Sequence, residues 1–268
     1  MKKYDIILSD YDGTLANSDG LISNENLTAI NAFIDRGGKF VVSSGRATDS
    51  ISKLLKKQGF SGYVSSFNGS VLTNLTTSET LYRIGIDYKV CIRFFSYLIK
   101  HNVYGHFYGE SAYLYPFKSD YTARYEKLTG VVGSEESDII NYLETTKNSS
   151  AKLLIYDEKQ KLDKHYDALV DLLPECEVIR STDEMIDINL KGVSKAKSIV
   201  EMAKIFNVTP SDVVAVGDAG NDMPMLEIAG LSVAPLNALD KVKAIADKVT
   251  SVDNNHHAIK EVIENFCI

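Results

Sequence analysis

The segment Asp10-Tyr11-Asp12-Gly13-Thr14-Leu15 places two carboxylates directly after the apolar run Ile6-Ile7-Leu8. A short apolar run of that kind suits a strand covered on both faces. Side chains two apart on an extended segment point the same way, so Asp10 and Asp12 can address one site, and Gly13 lets the chain turn sharply out of a sheet. Taken alone, Asp-x-Asp-Gly reads equally well as a solvated acidic turn. It does not fit a calcium loop of the EF-hand type, because counting from Asp10 the sixth residue is Leu15 instead of Gly and the twelfth is Leu21 instead of Glu.

Further polar residues stand at comparable places. Ser44 follows the apolar run Phe40-Val41-Val42, Lys195 opens a helical pattern, and Asp218 and Asp222 lie in Gly217-Asp218-Ala219-Gly220-Asn221-Asp222 after Val213–Val216. If these runs are parallel strands, the loops after them meet at one edge of the sheet, where open α/β sheets bind ligands. Four carboxylates gathered there repel one another unless a cation lies among them, and hard oxygen ligands suit magnesium. Lysine and serine beside carboxylates and magnesium are what phosphoryl chemistry requires, since cations and donors must neutralise the transferring oxygens. In isolation Lys195 reads as a solvated first-turn lysine; beside this constellation the catalytic reading is preferred. Arg46 reads equally as a substrate neighbour or as an ordinary surface ion pair.

The elements that must position these residues follow an alternating rhythm. Ser23-Asn24-Glu25 opens a helix with Leu27, Ile30, Phe33 and Ile34 on one face, ended by Gly37-Gly38. After the strand at Phe40–Val42, a second helix is expected with Thr48 or Asp49 as N-cap, Ile51, Leu54 and Leu55 inward, and Gly59 as terminator. Tyr63-Val64 is a third strand, and Asn68-Gly69 a turn before Val71-Leu72. Strand and helix in alternation with short loops predict a doubly wound parallel α/β sheet. Over about residues 81–188 the composition changes: most of the 15 tyrosines lie there, and Val103–Phe107, Ala112–Tyr115 and Lys152–Tyr156 read as strands of a mixed sheet. An inserted α+β domain is expected at 83–187, interrupting a core formed by 1–82 and 188–268. Its aromatic residues read as core packing before they read as a ligand box. From Val193 the alternation resumes, with a helix at Lys195–Phe206, a strand at Val213–Val216, a helix at Pro224–Ala229 and a strand at Leu231–Val233.

Bulk properties narrow the function classes. The chain has 268 residues, 44% hydrophobic and 24% charged, with a net charge of −7. Such a balance argues against a nucleic-acid or anionic-membrane surface, and a protein of this charge that handles an anion must supply local positive charge. The 3 cysteines lack a C-x-x-C pattern and the 5 histidines lack metal-ligand spacing. No signal segment or membrane-spanning run is expected, and the thiols read as reduced, so a cytoplasmic location is expected.

With these residues in view, the sequence resembles the haloacid dehalogenase superfamily of phosphatases, and within it the Cof-type sugar-phosphate phosphatases with a class IIB cap. The resemblance covers essentially the whole chain. It rests on Asp10–Leu15, Ser43-Ser44-Gly45-Arg46, Gly192-Val193-Ser194-Lys195 and Gly217–Leu226, and is extended by Asn68-Gly69 and by Val233–Ala238. It implies magnesium-dependent hydrolysis of a small phosphorylated metabolite, with Asp10 as the nucleophile that becomes an aspartyl-phosphate. It implies Asp12 as general acid and then base, which requires an environment holding its proton, with its backbone carbonyl also on the metal. Asp218 would be a direct metal ligand and Asp222 an outer or variable one. Ser44, Gly45, Lys195 and Asn221 would bind the phosphoryl group, and the inserted cap would set specificity through residues such as Tyr108 or Glu110. Two departures stand out: Ser44 replaces the usual Thr but keeps the hydroxyl, and Pro235-Leu236 replaces a common Met-Gly. The alternatives are a phosphomutase of the same fold, marked by a need for a bisphosphate activator, and a non-catalytic phospho-ligand sensor, which would lack the nucleophile or the acid.

Overall fold

The apolar run near the N-terminus is a buried strand in the computed structural model, which describes residues 4–109 and 113–267. Along this strand, β1 (Ile6–Asp10), Ile6 and Leu8 enter one hydrophobic cluster and Ile7 the other, so the sheet is covered on both faces. There follow α1 (Asn24–Asp35), β2 (Lys39–Ser43), α2 (Thr48–Lys57), β3 (Tyr63–Ser66), β4 (Val71–Asn74) and β5 (Thr80–Arg83). Ser23 caps α1 as expected, its hydroxyl accepting the Asn26 N–H at 3.2 Å, and Ile30 and Phe33 are buried. The start of α2 differs from expectation. Its N-cap is Ala47, without a side-chain cap, in place of Thr48 or Asp49. The Thr48 hydroxyl is instead engaged with the Ser66 hydroxyl at 2.6 Å, a tertiary bond across the end of β3.

Contacts divide the chain into two units: residues up to Arg83 together with those from Val193 onward, and Ile84–Gly192. The second unit contains α3 (Tyr88–His101), β6 (Gly105–Tyr108), β7 (Tyr113–Tyr115), α4 (Asp120–Thr129), β8 (Ser134–Glu135), α5 (Ile139–Thr146), β9 (Leu153–Tyr156), α6 (Lys159–Leu172), β10 (Cys176–Thr182) and β11 (Met185–Leu190). Among the described residues its strands form one mixed sheet in the order β10-β11-β9-β6-β7-β8, with only the β7–β8 pair parallel. Phe107, Leu153, Ile155, Ile186 and Ile188 pack on one face with residues of α3, α5 and α6. Tyr104, His106 and Tyr108, with Tyr113 and Tyr115, form an aromatic layer that meets Tyr125 of α4. These rings are buried, so they serve as core packing. Tyr108 belongs to that interior, its hydroxyl bonded to that of Tyr125, whereas Glu110 lies outside the described residues. The chain returns to the first unit at Val193 and not at 188, because β11 stays paired with β9 and β10 as far as Ile188 and Leu190.

The first unit is completed by α7 (Lys195–Phe206), β12 (Val213–Val216), α8 (Met223–Ile228), β13 (Leu231–Ala234), α9 (Asp240–Lys243), β14 (Lys248–Val249) and α10 (Ala258–Phe266). Its sheet runs β14-β13-β12-β1-β2-β3-β4-β5. The pairs from β14 to β3 are parallel; β4 and β5 extend that sheet antiparallel. Residues of α1, α2 and α10 cover one face, and residues of α7, α8 and α9 the other. The chain order reverses at β1, which has β2 on one side and β12 on the other. Asp10 pairs with Ser43 and Ser9 with Val216, so the ends of three strands meet where such sheets bind ligands.

Candidate functional site

Each of those strand ends contributes a side chain or a loop. Asp10 is the last residue of β1 and is only 7% exposed. Lys195 is the first residue of α7 and is 1% exposed, so the reading of a solvated lysine fails. Its ammonium group donates to Asp10 Oδ1 and, at 2.5 Å, to Asp222 Oδ1. A lysine so deeply enclosed is tolerated only because it is paired on both sides. Burial pulls the Lys195 pKa down, but the charges of Asp10 and then Asp222 outweigh it, and the net shift is upward.

Asp222 shapes the loop after β12. Its Oδ2 accepts the N–H groups of Asp218 at 3.0 Å and Ala219 at 2.9 Å, so both of its oxygens have partners. Gly217 is required beside it, since a Cβ there would collide with the Asp222 side chain. Asp218, half-buried, accepts the Thr14 hydroxyl on Oδ1 at 2.7 Å. Asp10, Asp218 and Asp222 each offer a carboxylate oxygen within 4.8 Å of the others, the one such group among the described residues. Burial pushes the Asp10 carboxyl up to about 7; the Lys195 ammonium opposes this, and the charge of Asp222 adds to it. Burial also raises Asp218, against the Thr14 hydrogen bond. Three clustered carboxylates with one ammonium are short of positive charge, and an all-oxygen donor set suits a hard divalent cation. The cluster can hold a metal ion.

Gly13 lets the turn after β1 approach this group. It has φ +81°, and a Cβ on it would stand 2.7 Å from Asp218 Oδ2. Gly13→Ala therefore combines a left-handed backbone with a steric conflict and is expected to cost about 1–3 kcal/mol of stability, read from urea unfolding. An unchanged midpoint would contradict this local geometry.

Asp12 has a different partner. Its side chain is 58% exposed and is held by Arg46, whose Nη2 donates to Oδ1 at 2.7 Å and whose Nε donates to Oδ2 at 3.2 Å. The two carboxylates expected to address one site thus have different partners, one a buried lysine and the other an exposed arginine. Ser44 is buried at the end of β2, its N–H donating to Ser65 O at 2.8 Å and its Oγ accepting the Arg46 N–H at 3.2 Å. Gly45 is exposed next to it, and Asn221 is exposed in the turn before Asp222. Sequence reasoning assigned no role to Thr14 or Asn237. Asn237 Nδ2 donates to Gly13 O at 2.8 Å and its Oδ1 accepts the Asn254 N–H at 3.0 Å, tying the β1 loop to the C-terminal part of the unit. Both residues stand in quoted motifs, but their partners are remote in sequence and no local signal identifies them.

Comparisons with known proteins agree with this architecture. A profile described as haloacid dehalogenase-like hydrolase matches residues 7–263. The chain is 28% identical to Phosphatase YwpJ of Bacillus subtilis (strain 168) over 97% of this chain and 99% of that protein. It is 29% identical to the 5-amino-6-(5-phospho-D-ribitylamino)uracil phosphatase YcsE of the same organism, over 92% of this chain and 90% of that one. The solved structure of the subclass IIB sugar phosphatase BT4131 superposes with a TM-score of 0.72 over 99% of both chains at 22% identity, which establishes a shared fold. No helix among the described residues is long and apolar enough to cross a membrane. The whole-chain match and the arrangement of its sheet and insertion make this protein a member of the haloacid dehalogenase-like hydrolase family, with relatives that are phosphatases.

Proposed function

We propose that the protein hydrolyses a small phosphorylated metabolite, a sugar phosphate or similar phosphomonoester, through an aspartyl-phosphate on Asp10 with magnesium as cofactor. The observation that carries the reading is the buried Lys195 ammonium in contact with Asp10 and Asp222 where three carboxylates converge. A site built to gather charge around one carboxylate suits attack on a dianionic phosphoryl group. The named substrate of the relative YcsE is a phosphomonoester, which supports this substrate class.

In this reading Asp10 attacks phosphorus, and the bond to the leaving oxygen breaks as Asp12 passes it a proton. Asp12 then takes a proton from water, which displaces Asp10 and releases inorganic phosphate. Splitting the hydrolysis replaces one difficult step by two easier ones. Lys195 would hold a phosphoryl oxygen beside Asp10. The Ser44 Oγ accepts a hydrogen bond from its own loop, which leaves its proton to donate to the phosphoryl group. Backbone at Gly45 and the amide of Asn221 would complete that cradle. The carboxylates of Asp10 and Asp218 and the backbone carbonyl of Asp12 would hold magnesium, and Asp222, with both oxygens engaged, would act on it through its neighbours. When bound, the ion supplies positive charge to the phosphoryl oxygens.

Released phosphate measured over a panel of phosphorylated metabolites with magnesium tests this reading; a folded protein that releases none would sink it. Metal dependence adds a sharper expectation. Metal-stripped protein is expected to regain turnover with magnesium and to be inhibited by calcium, with extra magnesium relieving the inhibition. Calcium readily takes both oxygens of a carboxylate, which would leave Asp10 no free oxygen for attack. Because burial raises Asp10 to about 7, protons compete with the ion, and apparent magnesium affinity is expected to fall about tenfold per unit below that pH. Calorimetric titrations between about pH 5 and 8 read this slope; a flat profile, or full activity in excess chelator, would overturn the account.

A further inference from the structure

The Arg46–Asp12 pair stands apart from an ordinary surface ion pair. Both guanidinium contacts fall on different oxygens of one carboxylate, the forked geometry that fixes orientation as well as charge. The arginine is itself held at its base. Its N–H donates to Ser44 Oγ at 3.2 Å, and its carbonyl accepts the Phe67 N–H at 3.0 Å. The guanidinium also lies over the Tyr11 ring, 5.7 Å from its centroid. Tyr11 is fully buried, and its hydroxyl donates to Gly20 O at 2.7 Å and accepts from Gln58 Nε2 at 2.9 Å. Arg46 is thus anchored below by a fixed ring and behind by the Ser44 loop, while the carboxylate it holds is exposed.

We propose that Arg46 is a positioning residue that aims the Asp12 carboxyl at the leaving-group oxygen and stabilises the charge left there after proton donation; this rests on the phosphomonoesterase reading above. An exposed aspartate has free rotamers, and a donor must lie within hydrogen-bond reach of the oxygen it protonates. The fork occupies one lone pair on each Asp12 oxygen and leaves another free. In the transfer step the bond from Asp10 to phosphorus forms, the bond from phosphorus to the leaving oxygen breaks, and the Asp12 proton moves to that oxygen. Asp12 becomes a carboxylate, and Arg46 faces the new negative charge. Help of this kind matters in proportion to how poor the leaving group is. An activated phenolate departs without a proton; an alkoxide does not.

The test is kcat/KM for a series of phenyl phosphates from 2,4-dinitrophenyl to unsubstituted phenyl, with magnesium, on the wild type, Arg46→Ala and Arg46→Lys. This parameter ends at the first irreversible step, transfer to Asp10, so the later role of Asp12 as base does not enter. Arg46→Ala is expected to lose about threefold on the dinitrophenyl ester and about a hundredfold on phenyl phosphate, the latter at the low end of what general acid catalysis contributes. Arg46→Lys, which keeps the charge but loses the fork, should fall between. An equal loss across the series would overturn the proposal, placing Arg46 on the transferred phosphoryl group or in support of the fold. No loss at all would overturn it as well and return the pair to a surface contact. A folded wild type that hydrolyses neither this series nor any member of the metabolite panel would instead remove the phosphatase reading on which the proposal stands. Circular dichroism of each variant checks folding, and Arg46→Gln takes the place of the alanine variant should that fail to fold.

Discussion

Asp10→Asn is expected to lower turnover by about four orders of magnitude or more while the protein remains folded. The amide keeps the shape of the carboxylate but has no charged oxygen with which to attack phosphorus, and Lys195 keeps its second partner, Asp222. Near-normal phosphate release by the folded variant would exclude Asp10 as the nucleophile. The same substitution has a stability signature in metal-free protein. The folded-state pKa of Asp10 is pushed up to about 7 from an ordinary 3.8, chiefly by burial. Its contribution to stability is therefore fully present below the ordinary value and is lost as pH rises through the folded one. Relative to wild type, Asp10→Asn should gain stability between about pH 4 and 7 and hold that gain above it. Thermal unfolding across this range reads the sign, and a difference running the other way would show that Lys195 outweighs desolvation.

Removal of Lys195 should affect stability and turnover together. Lys195→Met keeps an unbranched apolar stem in a site only 1% exposed, but leaves the Asp10 and Asp222 carboxylates without their shared cation. Breaking a buried ion pair in this way costs about 3–5 kcal/mol. Turnover should fall about a thousandfold, the scale for loss of one donor to a developing charge. Lys195→Arg is not expected to restore either property, because a planar guanidinium does not replace a compact ammonium enclosed by two carboxylates. Urea unfolding with and without magnesium separates the effects, since a cation bound to the carboxylate cluster should recover part of the stability of Lys195→Met and none of the direct contact to substrate. An unchanged urea midpoint for Lys195→Met would contradict the burial of this lysine.

Local signals in the chain were enough for most elements of the fold. The helix over Lys195–Phe206 and the strand Val213–Val216 have the bounds that apolar spacing predicts, and Ser23 caps α1 through its hydroxyl. Expectation failed where a side chain was drawn away by a partner remote in sequence. Thr48 has the chemistry of an N-cap, yet its hydroxyl goes to Ser66. The second unit extends past 187 because β11 continues as far as its partners in β9 and β10 allow, a length set by pairing and not by its own composition.

At the site, residue types and order along the chain determined the candidates: carboxylates after β1 and β12, a hydroxyl after β2, a lysine at the start of α7. Parallel strands bring such loops to one edge whatever their side chains do next, which is why the set could be read from a one-dimensional pattern. Burial and pairing were decided only by tertiary structure. Lys195 by itself read as a solvated first-turn lysine and only its companion motifs favoured a catalytic role, while Arg46 kept two readings; the folded chain encloses the lysine between Asp10 and Asp222 and sets the arginine on Asp12. Thr14 and Asp218 are 204 positions apart and share a hydrogen bond. Spacing along a chain reports which way neighbouring side chains point, but the charge state and partner of a group depend on everything within a few ångströms of it, and at this site those atoms come from segments that only folding brings together.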